Sequence, residues 1–169
     1  AVIVHTGCLA DMIADNPVPA IRRIERTNRS RVYWVGNVND RRTYTAKLLR
    51  DRLSRVVPAG APRDPLGVAI LGGGTPAENG ELQALLTQVG LSSQGIIIPE
   101  VGMEQVREVA GASIFIWARQ SELMDVSALA FDDLPVTLVR APSPVGIEGT
   151  IEWLRQAAEA AGPEHSLVD

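Results

Sequence analysis

The 169-residue chain has a single cysteine, Cys8, and only 4% aromatic residues. One thiol excludes a disulfide framework and any metal site built from this chain's cysteines alone. No apolar run approaches the roughly 18 residues that a membrane-spanning helix needs, and no basic segment followed by an apolar run opens the chain. We therefore expect a cytoplasmic protein without a membrane partner. Its 46% apolar content is ordinary for a folded domain, which excludes a disordered chain.

The net charge of −4 conceals a segregation of charges. Residues 22–63 contain eleven arginines and Lys47 against three acids, a charge of +9, whereas residues 64–169 sum to −11. Two interpretations stay open: solvated outer faces of helices, or a surface that docks to an acidic partner protein, nucleotide or carboxylate-rich substrate. Because this basic block lacks the interleaved aromatic residues of single-strand binders, nucleic-acid binding has little support.

Short β-branched runs alternate with segments of helical periodicity, which is the pattern of βαβ units. Each run is almost continuously apolar, as in strands that helices cover on both faces. The sequence therefore predicts an α/β fold with a doubly wound, mostly parallel, Rossmann-like sheet and helices on both faces. The predicted strands are Val2–Val4, Val32–Val35, Val68–Leu71, Ile96–Ile98, Ile114–Trp117 and Val136–Val139.

The predicted helices have recognisable starts. Polar caps and prolines at first helical positions mark most of them, and Thr75 with Glu78 forms a capping-box pattern that precedes a helix ending at Gly90. The remaining starts are Asn16 before Pro17, Asn39 or Asp40, Met103 (to Val109), Ser121 (to Ala130) and a last one near Thr150.

A proline-rich stretch, Pro58–Pro65, divides the chain where the charge changes sign. Three prolines in eight residues without periodicity are typical of a linker. We therefore expect residues 1–60 to be the end of a first α/β domain that contains Cys8. Residues 61–169 should form a second Rossmann-like α/β domain, with a frayed tail from Gly162.

Two loops after predicted strands are candidate ligand sites. Gly72-Gly73-Gly74-Thr75 lies between a strand and a capped helix, where backbone N–H groups can bind an anion. It lacks the lysine of a phosphate loop, so a tight turn without a ligand is the competing interpretation. The loop Ala141–Thr150 follows the last strand, and its Ser143, Gly146 and Glu148 could line the same cleft; a rigid connection is the alternative. No residue is assigned a catalytic role.

Cys8 lies just past the first strand, three residues after His5. A thiol in such a position suits a nucleophile or an iron ligand when its pKa is lowered. A lone cysteine in an apolar setting is also typical of a buried structural residue.

Three segments, in this order, resemble the nitrogenase component 1 family, which includes nitrogenase molybdenum–iron subunits, cofactor-assembly homologues and light-independent tetrapyrrole reductases. Gly7–Asn16 resembles the family's Thr-Cys-x-x-x-x-Ile-Gly-Asp-Asp segment, with departures at Ala14 and Asn16. Val68–Gly90 is similar to the start of the family's middle domain, and Pro144–Thr150 to its Pro-[Ile/Tyr]-Gly-Ile-Glu-x-Thr turn. The similarity covers about residues 2 to 158, nearly the whole chain.

The resemblance implies an oxidoreductase subunit that positions an iron–sulfur cluster and takes electrons from an ATP-dependent iron–sulfur reductase. Cys8 matches a cluster ligand of the family, whose other ligands lie upstream or on a partner component 1 subunit. Because this chain starts at Ala1 without those cysteines, we expect an excised piece that binds no cluster and catalyses nothing alone.

The family's catalytic α subunit has a cofactor-ligating cysteine after the strand that matches Ile114–Trp117. Here Trp117–Glu122 contains no cysteine. This departure favours a β-like subunit, an assembly homologue or another reductase. The competing hypothesis is a non-catalytic Rossmann-like module that binds a small anionic ligand or a partner protein.

Overall fold

The computed structural model describes residues 2–5, 18–28, 32–35, 38–56, 62–98, 101–119, 124, 128–131 and 134–162. The strands are β1 (Val2–His5), β2 (Val32–Val35), β3 (Asp64–Leu71), β4 (Ser92–Ile97), β5 (Ala112–Trp117) and β6 (Thr137–Val139). The helices are α1 (Val18–Asn28), α2 (Val38–Val56), α3 (Pro76–Gln88), α4 (Met103–Val109), α5 (Ala128–Phe131) and α6 (Gly146–Ala161).

Both sheets that the structure describes are parallel throughout. The larger has the strand order β4-β3-β5-β6, and β1 pairs with β2 in a separate two-stranded sheet. Side chains of α2, α4 and α5 pack on one face of the larger sheet, and those of α3 and α6 pack on the other. The predicted doubly wound α/β fold with helices on both faces is confirmed.

Alternate residues of the central strands enter two separate cores. Along β5, Ile114 and Ile116 point to the α3–α6 face, whereas Phe115 and Trp117 point to the opposite face. β3 alternates in the same way, and all of its residues from Val68 to Leu71 are buried. Burial on both faces explains why these strands are almost continuously apolar in the sequence.

The basic block forms the outer faces of α1 and α2 where the structure describes their side chains. Arg22, Arg23 and Arg26 are exposed on α1, while Ile21 is buried. On α2, the buried set is Ala46, Leu48, Leu49 and Leu53, and the exposed set is Lys47, Arg50, Ser54 and Arg55. Where its side chains are described, α2 thus has one buried apolar face and one exposed, mostly basic face.

Helix α2 packs onto the sheet of the predicted second domain. Leu49 and Leu53 belong to the same buried cluster as Phe115 and Trp117 of β5. The segment before the proline-rich stretch thus contributes to the core of the segment after it. The division at about residue 60 stays a prediction, as does the frayed tail, since residues 163–169 lie outside the described part.

Several element boundaries differ from the predictions. β3 begins at Asp64 rather than Val68, because the Asp64 N–H already donates to the Gly111 oxygen at 3.0 Å. α2 begins at Val38, so Asn39 and Asp40 lie inside the helix and do not cap it. The start predicted near Thr150 is also wrong. The last helix begins one turn earlier, at Gly146, whose oxygen accepts a hydrogen bond from the Thr150 hydroxyl at 2.8 Å.

Other predictions match the structure closely. The helix predicted from Met103 to Val109 has those bounds. The capping box of α3 is present, and Gly90 adopts a positive φ of 79° directly after the C-cap residue Val89. Of the helix predicted over Ser121–Ala130, the described part contains α5 from Ala128 onward. The cap predicted at Asn16 lies outside the described residues.

Candidate functional site

The strand order places a crevice at the carboxyl ends of β3 and β5. The chain leaves β3 for β4 on one side and then returns past β3 to β5 on the other. The helices that follow β3 and β5, α3 and α5, accordingly lie on opposite faces of the sheet. In open α/β sheets, this switch point is where ligands bind.

An open cleft of about 710 Å³ lies at this switch point. Gly72 and Gly74 of the loop after β3 line it, as do Ala118 and Arg119 after β5. The other lining residues come from α3, α6 and the turn before α6, and most are apolar: Glu78, Glu81, Leu82, Leu85, Pro144, Val145, Gly146, Ile147, Thr150, Ile151 and Leu154.

The structure brings the two predicted ligand loops together. Gly72, Gly74 and Gly146 all line the cleft, although they are far apart in sequence. Four further predicted residues are not among its lining residues: Gly73, Thr75, Ser143 and Glu148. Ligand binding by these seven residues stays a prediction, but three of them share one concave surface.

The glycine turn already uses its backbone donors within the chain. Each of its four N–H groups has an intramolecular acceptor. Gly72 donates to the Ile97 oxygen (3.1 Å), Gly73 to the Ile98 oxygen (2.9 Å), Gly74 to Oδ1 of Asn79 (2.7 Å) and Thr75 to Oε2 of Glu78 (2.7 Å). An anion that bound the N–H groups of Gly74 and Thr75 would have to displace the side chains of Asn79 and Glu78. These hydrogen bonds favour the interpretation of the segment as a tight turn without a ligand.

Glu78 connects the glycine turn with Arg119, which follows β5 at the cleft. Its carboxylate accepts from the Thr75 N–H and from Nη2 of Arg119, at 3.1 and 2.9 Å to its two oxygens. The hydrogen bonds from the Thr75 backbone and hydroxyl, followed by the charge of Arg119, lower the pKa of Glu78. The carboxylate is therefore held in its charged form at neutral pH.

Only glycine fits beneath this ion pair without displacing it. A Cβ atom on Gly74 would contact Oε2 of Glu78 and would lie 2.7 Å from Nη2 of Arg119. Both atoms are at the ends of flexible side chains, so the cost of a side chain here is loss of the pair rather than a backbone clash. The glycine thus permits the close approach of Arg119 to the capping box.

Two features at the same edge of the sheet were not anticipated from the sequence. Ile98 has a positive φ of 72°, which is rare for a β-branched residue, and its oxygen accepts from Gly73. The buried indole N–H of Trp117 meets no hydrogen-bond acceptor in the part of the chain that the structure describes. Strained backbone and unpaired buried donors are both enriched at functional sites.

Arg119 and the apolar wall of the cleft were also missed. No local pattern connects Arg119 with Glu78, because 41 residues separate them. The wall did leave a signal, since Ile147 and Ile151 are four residues apart, which places them on one face of a helix. That spacing was hidden by the interpretation of residues 141–150 as a rigid loop.

The described residues do not fit a self-contained metal centre. Among them, no group of three His, Cys, Asp or Glu side chains could hold a metal ion. Cys8 is the chain's single cysteine and lies outside the described residues. Because an iron–sulfur cluster is typically held by four cysteine thiolates, this chain can supply at most one such ligand.

The described helices bear on the membrane prediction, and a family model bears on the resemblance. Among the described helices, none is both long enough and apolar enough to cross a membrane. A family model for nitrogenase component 1 type oxidoreductases matches residues 1–168. None of the curated proteins compared with the chain matches it.

Proposed function

The chain belongs to the nitrogenase component 1 type oxidoreductase family, and on that premise we propose that it is a cluster-positioning domain of a redox subunit. In this proposal the subunit positions an iron–sulfur cluster and receives electrons from an ATP-dependent iron–sulfur reductase in the cytoplasm. The observation that supports it is the extent of the family match, residues 1–168 of 169. The partners would be that reductase and a second component 1 subunit.

Cys8 is the residue through which this chain would contact the cluster. It follows β1 by three residues, and its thiolate is the only one that the chain can offer. The remaining ligands must then come from outside these 169 residues, from a preceding segment or a partner subunit. When bound, the cluster would supply one-electron transfer. This chain's part is to hold one ligand in place and to shield it from water.

The basic outer faces of α1 and α2 would serve such an assembly as a docking surface. Charge complementarity mainly raises association rates and sets orientation. Arg22, Arg23 and Arg26 are exposed together on α1, so an acidic surface of the partner subunit or the reductase would suit them. If raising the salt concentration leaves association with both partners unchanged, the basic faces do not have this role.

Iron and sulfide analysis of the assembled complex tests the proposal. The chain is purified anaerobically with its partner subunit, as the parent and as Cys8→Ser, with Thr6→Ser as the matched control in the same segment. We expect Cys8→Ser to lower the iron and acid-labile sulfide content and to alter the electron paramagnetic resonance of the reduced complex. Unchanged cluster content in Cys8→Ser would show that Cys8 is not a ligand.

A second measurement addresses electron transfer itself. The parent complex is mixed with reduced reductase and ATP, and cluster reduction is followed by absorbance. We expect reduction to require ATP and to be lost together with the cluster in Cys8→Ser. A complex that holds no iron in the parent would contradict the redox proposal as a whole.

The alternative function, a module that binds a small anion without redox chemistry, has one supporting observation. The cleft lies at the switch point, where Rossmann-like domains bind ligands. The intramolecular hydrogen bonds of the glycine turn weigh against an anion there. Thermal stabilisation of this chain by nucleotides or organic anions would favour the alternative.

A further inference from the structure

The wall of the cleft formed by α6 leaves large apolar side chains in solvent. Val145, Ile147 and Ile151 are 78%, 81% and 57% exposed. Among the described residues, the remaining large apolar side chain of this kind is Met103, at 38%, on α4. Three such residues on one short segment form a contiguous patch, and contiguous apolar patches commonly mark interaction sites.

The patch belongs to a groove between two helices. Leu82 and Leu85 of α3 line one side, and Ile147, Ile151 and Leu154 of α6 line the other. α6 has 16 residues and is about 24 Å long. A groove of apolar side chains between two helices is the shape that receives the apolar face of an amphipathic helix.

The charged side chains that the structure describes at the groove are acidic, apart from Arg119. Glu81 lines it on the α3 side, and Glu148, beside Ile147, is exposed in the first turn of α6. The positive Arg119 is paired with Glu78 at 2.9 Å. Among the described residues, the charge left unpaired at the groove is therefore acidic, which favours a partner with basic side chains flanking its apolar face.

The same charges disfavour a second copy of this chain as the occupant. An isologous contact places the same patch of both copies together, so it would bring the acidic side chains of both copies, Glu81 and Glu148, into one interface. The chain's basic helix α1 does not suit the groove either, because its Ile21 is buried within the chain. A helix from outside these 169 residues meets neither difficulty.

We propose that the groove between α3 and α6 docks an amphipathic helix of a partner protein, with leucine-like residues facing Ile147 and Ile151 and lysine or arginine residues facing Glu81 and Glu148. Residues three and four positions apart on the incoming helix would meet the two isoleucines, which are themselves four apart. The basic residues would set the orientation of the helix and favour it over an acidic helix, which the like charges of the groove would repel.

Fluorescence anisotropy with two designed peptides tests this docking site on the full 169-residue chain. Both peptides are helices of about 18 residues with leucines at the same helical spacing, one flanked by lysines and the other by glutamates. We expect the lysine peptide to bind about tenfold more tightly, and its advantage to shrink as NaCl is raised from about 0.05 to about 0.5 M. Equal binding of the two peptides, or binding of neither, overturns the proposal.

Substitutions of exposed apolar residues show where on the chain the lysine peptide binds. Ile147→Ser combined with Ile151→Ser should weaken the lysine peptide at least about tenfold, whereas Met103→Ser should leave its affinity unchanged. Because all three side chains are at least 38% exposed, the variants should fold, which circular dichroism verifies. Equal weakening by Met103→Ser would overturn the assignment to this groove.

Charge substitutions and sedimentation velocity distinguish a basic partner helix from an acidic helix and from a second copy of this chain. Glu81→Lys should weaken the lysine peptide and strengthen the glutamate peptide, with the exposed Glu104→Lys on α4 as the control. Sedimentation velocity should show a monomer that does not change with concentration. A dimer that the double isoleucine variant abolishes would assign the patch to a second copy and contradict the proposed partner.

Discussion

The indole N–H of Trp153 donates to the backbone oxygen of Trp117 at 2.8 Å, deep in the protein. Trp117 is the last residue of β5, where the pairing with β6 has already ended at Ile116. A backbone oxygen at the end of a buried strand needs a partner, because an unpaired polar group in the interior is costly. Trp153 supplies it and thereby fixes α6, with its exposed isoleucines, above the carboxyl edge of the sheet.

Replacing this indole should destabilise the protein markedly. Trp153→Phe removes the donor and leaves part of the fully buried site empty, so we expect the free energy of unfolding to fall by about 2 to 3 kcal/mol. Urea denaturation followed by circular dichroism measures it. Ile147→Ala, on the same helix but exposed, should change stability by less than about 0.5 kcal/mol. Equal effects of the two substitutions would show that the hydrogen bond does not anchor α6.

The cap of α3 should contribute measurably to stability. The Thr75 hydroxyl accepts from the Glu78 N–H at 3.3 Å, and Thr75→Ala leaves that donor without its partner. We expect a loss of about 1 kcal/mol, measured by thermal or urea unfolding. Thr87→Ala is the matched control, because Thr87 is exposed near the other end of α3 and donates only to the Gln83 oxygen. A larger loss for Thr87→Ala would contradict the role of the capping box.

Two glycines in helices should respond to alanine in opposite directions. A Cβ atom on Gly149 would lie 2.8 Å from the backbone oxygen of Ser143, and a backbone atom cannot move away cheaply. A Cβ atom on Gly80 would have nothing within 4 Å. We expect Gly149→Ala to destabilise, and Gly80→Ala to raise the unfolding free energy by up to about 1 kcal/mol, as alanine does inside helices. The melting temperatures of the two variants measure these changes in stability. Stabilisation by both substitutions would contradict the close approach of the Ser143 oxygen to Gly149.

The extent to which the sequence predicted this structure depends on how local each interaction is. Thr75 and Glu78 are three residues apart, so their capping box could be predicted from spacing alone. The alternating cores of β3 and β5 were likewise visible as apolar runs. The start of α6 at Gly146 was not, because a positive φ of 69° and the anchor from Trp153 to a strand 36 residues away determine it.

Ligand binding at the two loops stays a prediction, but their place in the fold can be compared with the sequence. The two loops were expected at one edge of the sheet because parallel strands bring their carboxyl ends together, and Gly72 and Gly146 do share the cleft. For the glycine turn, the sequence left two interpretations open: backbone donors for an anion, or a tight turn without a ligand. Asn79 and Glu78 occupy two of them through side-chain contacts that the spacing of glycines does not reveal. Cys8 remains a predicted ligand outside the described residues.

A half-buried carboxylate on α6, that of Glu152, should make the free energy of unfolding depend on pH in the acidic range. Arg155 donates to both oxygens of Glu152, at 2.6 and 2.8 Å, and Gln156 donates to one of them at 2.6 Å. These hydrogen bonds lower the pKa of Glu152 to about 2, whereas a glutamate in an unfolded chain titrates near 4.3. Between these values the unfolded chain binds more protons than the folded one, so stability increases with pH. This contribution should be complete above about pH 5 and lost as the pH falls towards 2.

We therefore expect Glu152→Gln to flatten the dependence of unfolding free energy on pH in this window, measured by urea unfolding at a series of pH values. Arg155→Gln should flatten it as well, because the carboxylate loses its principal donor. If the parent and both variants show the same slope, the ion pair on α6 does not hold the pKa of Glu152 down.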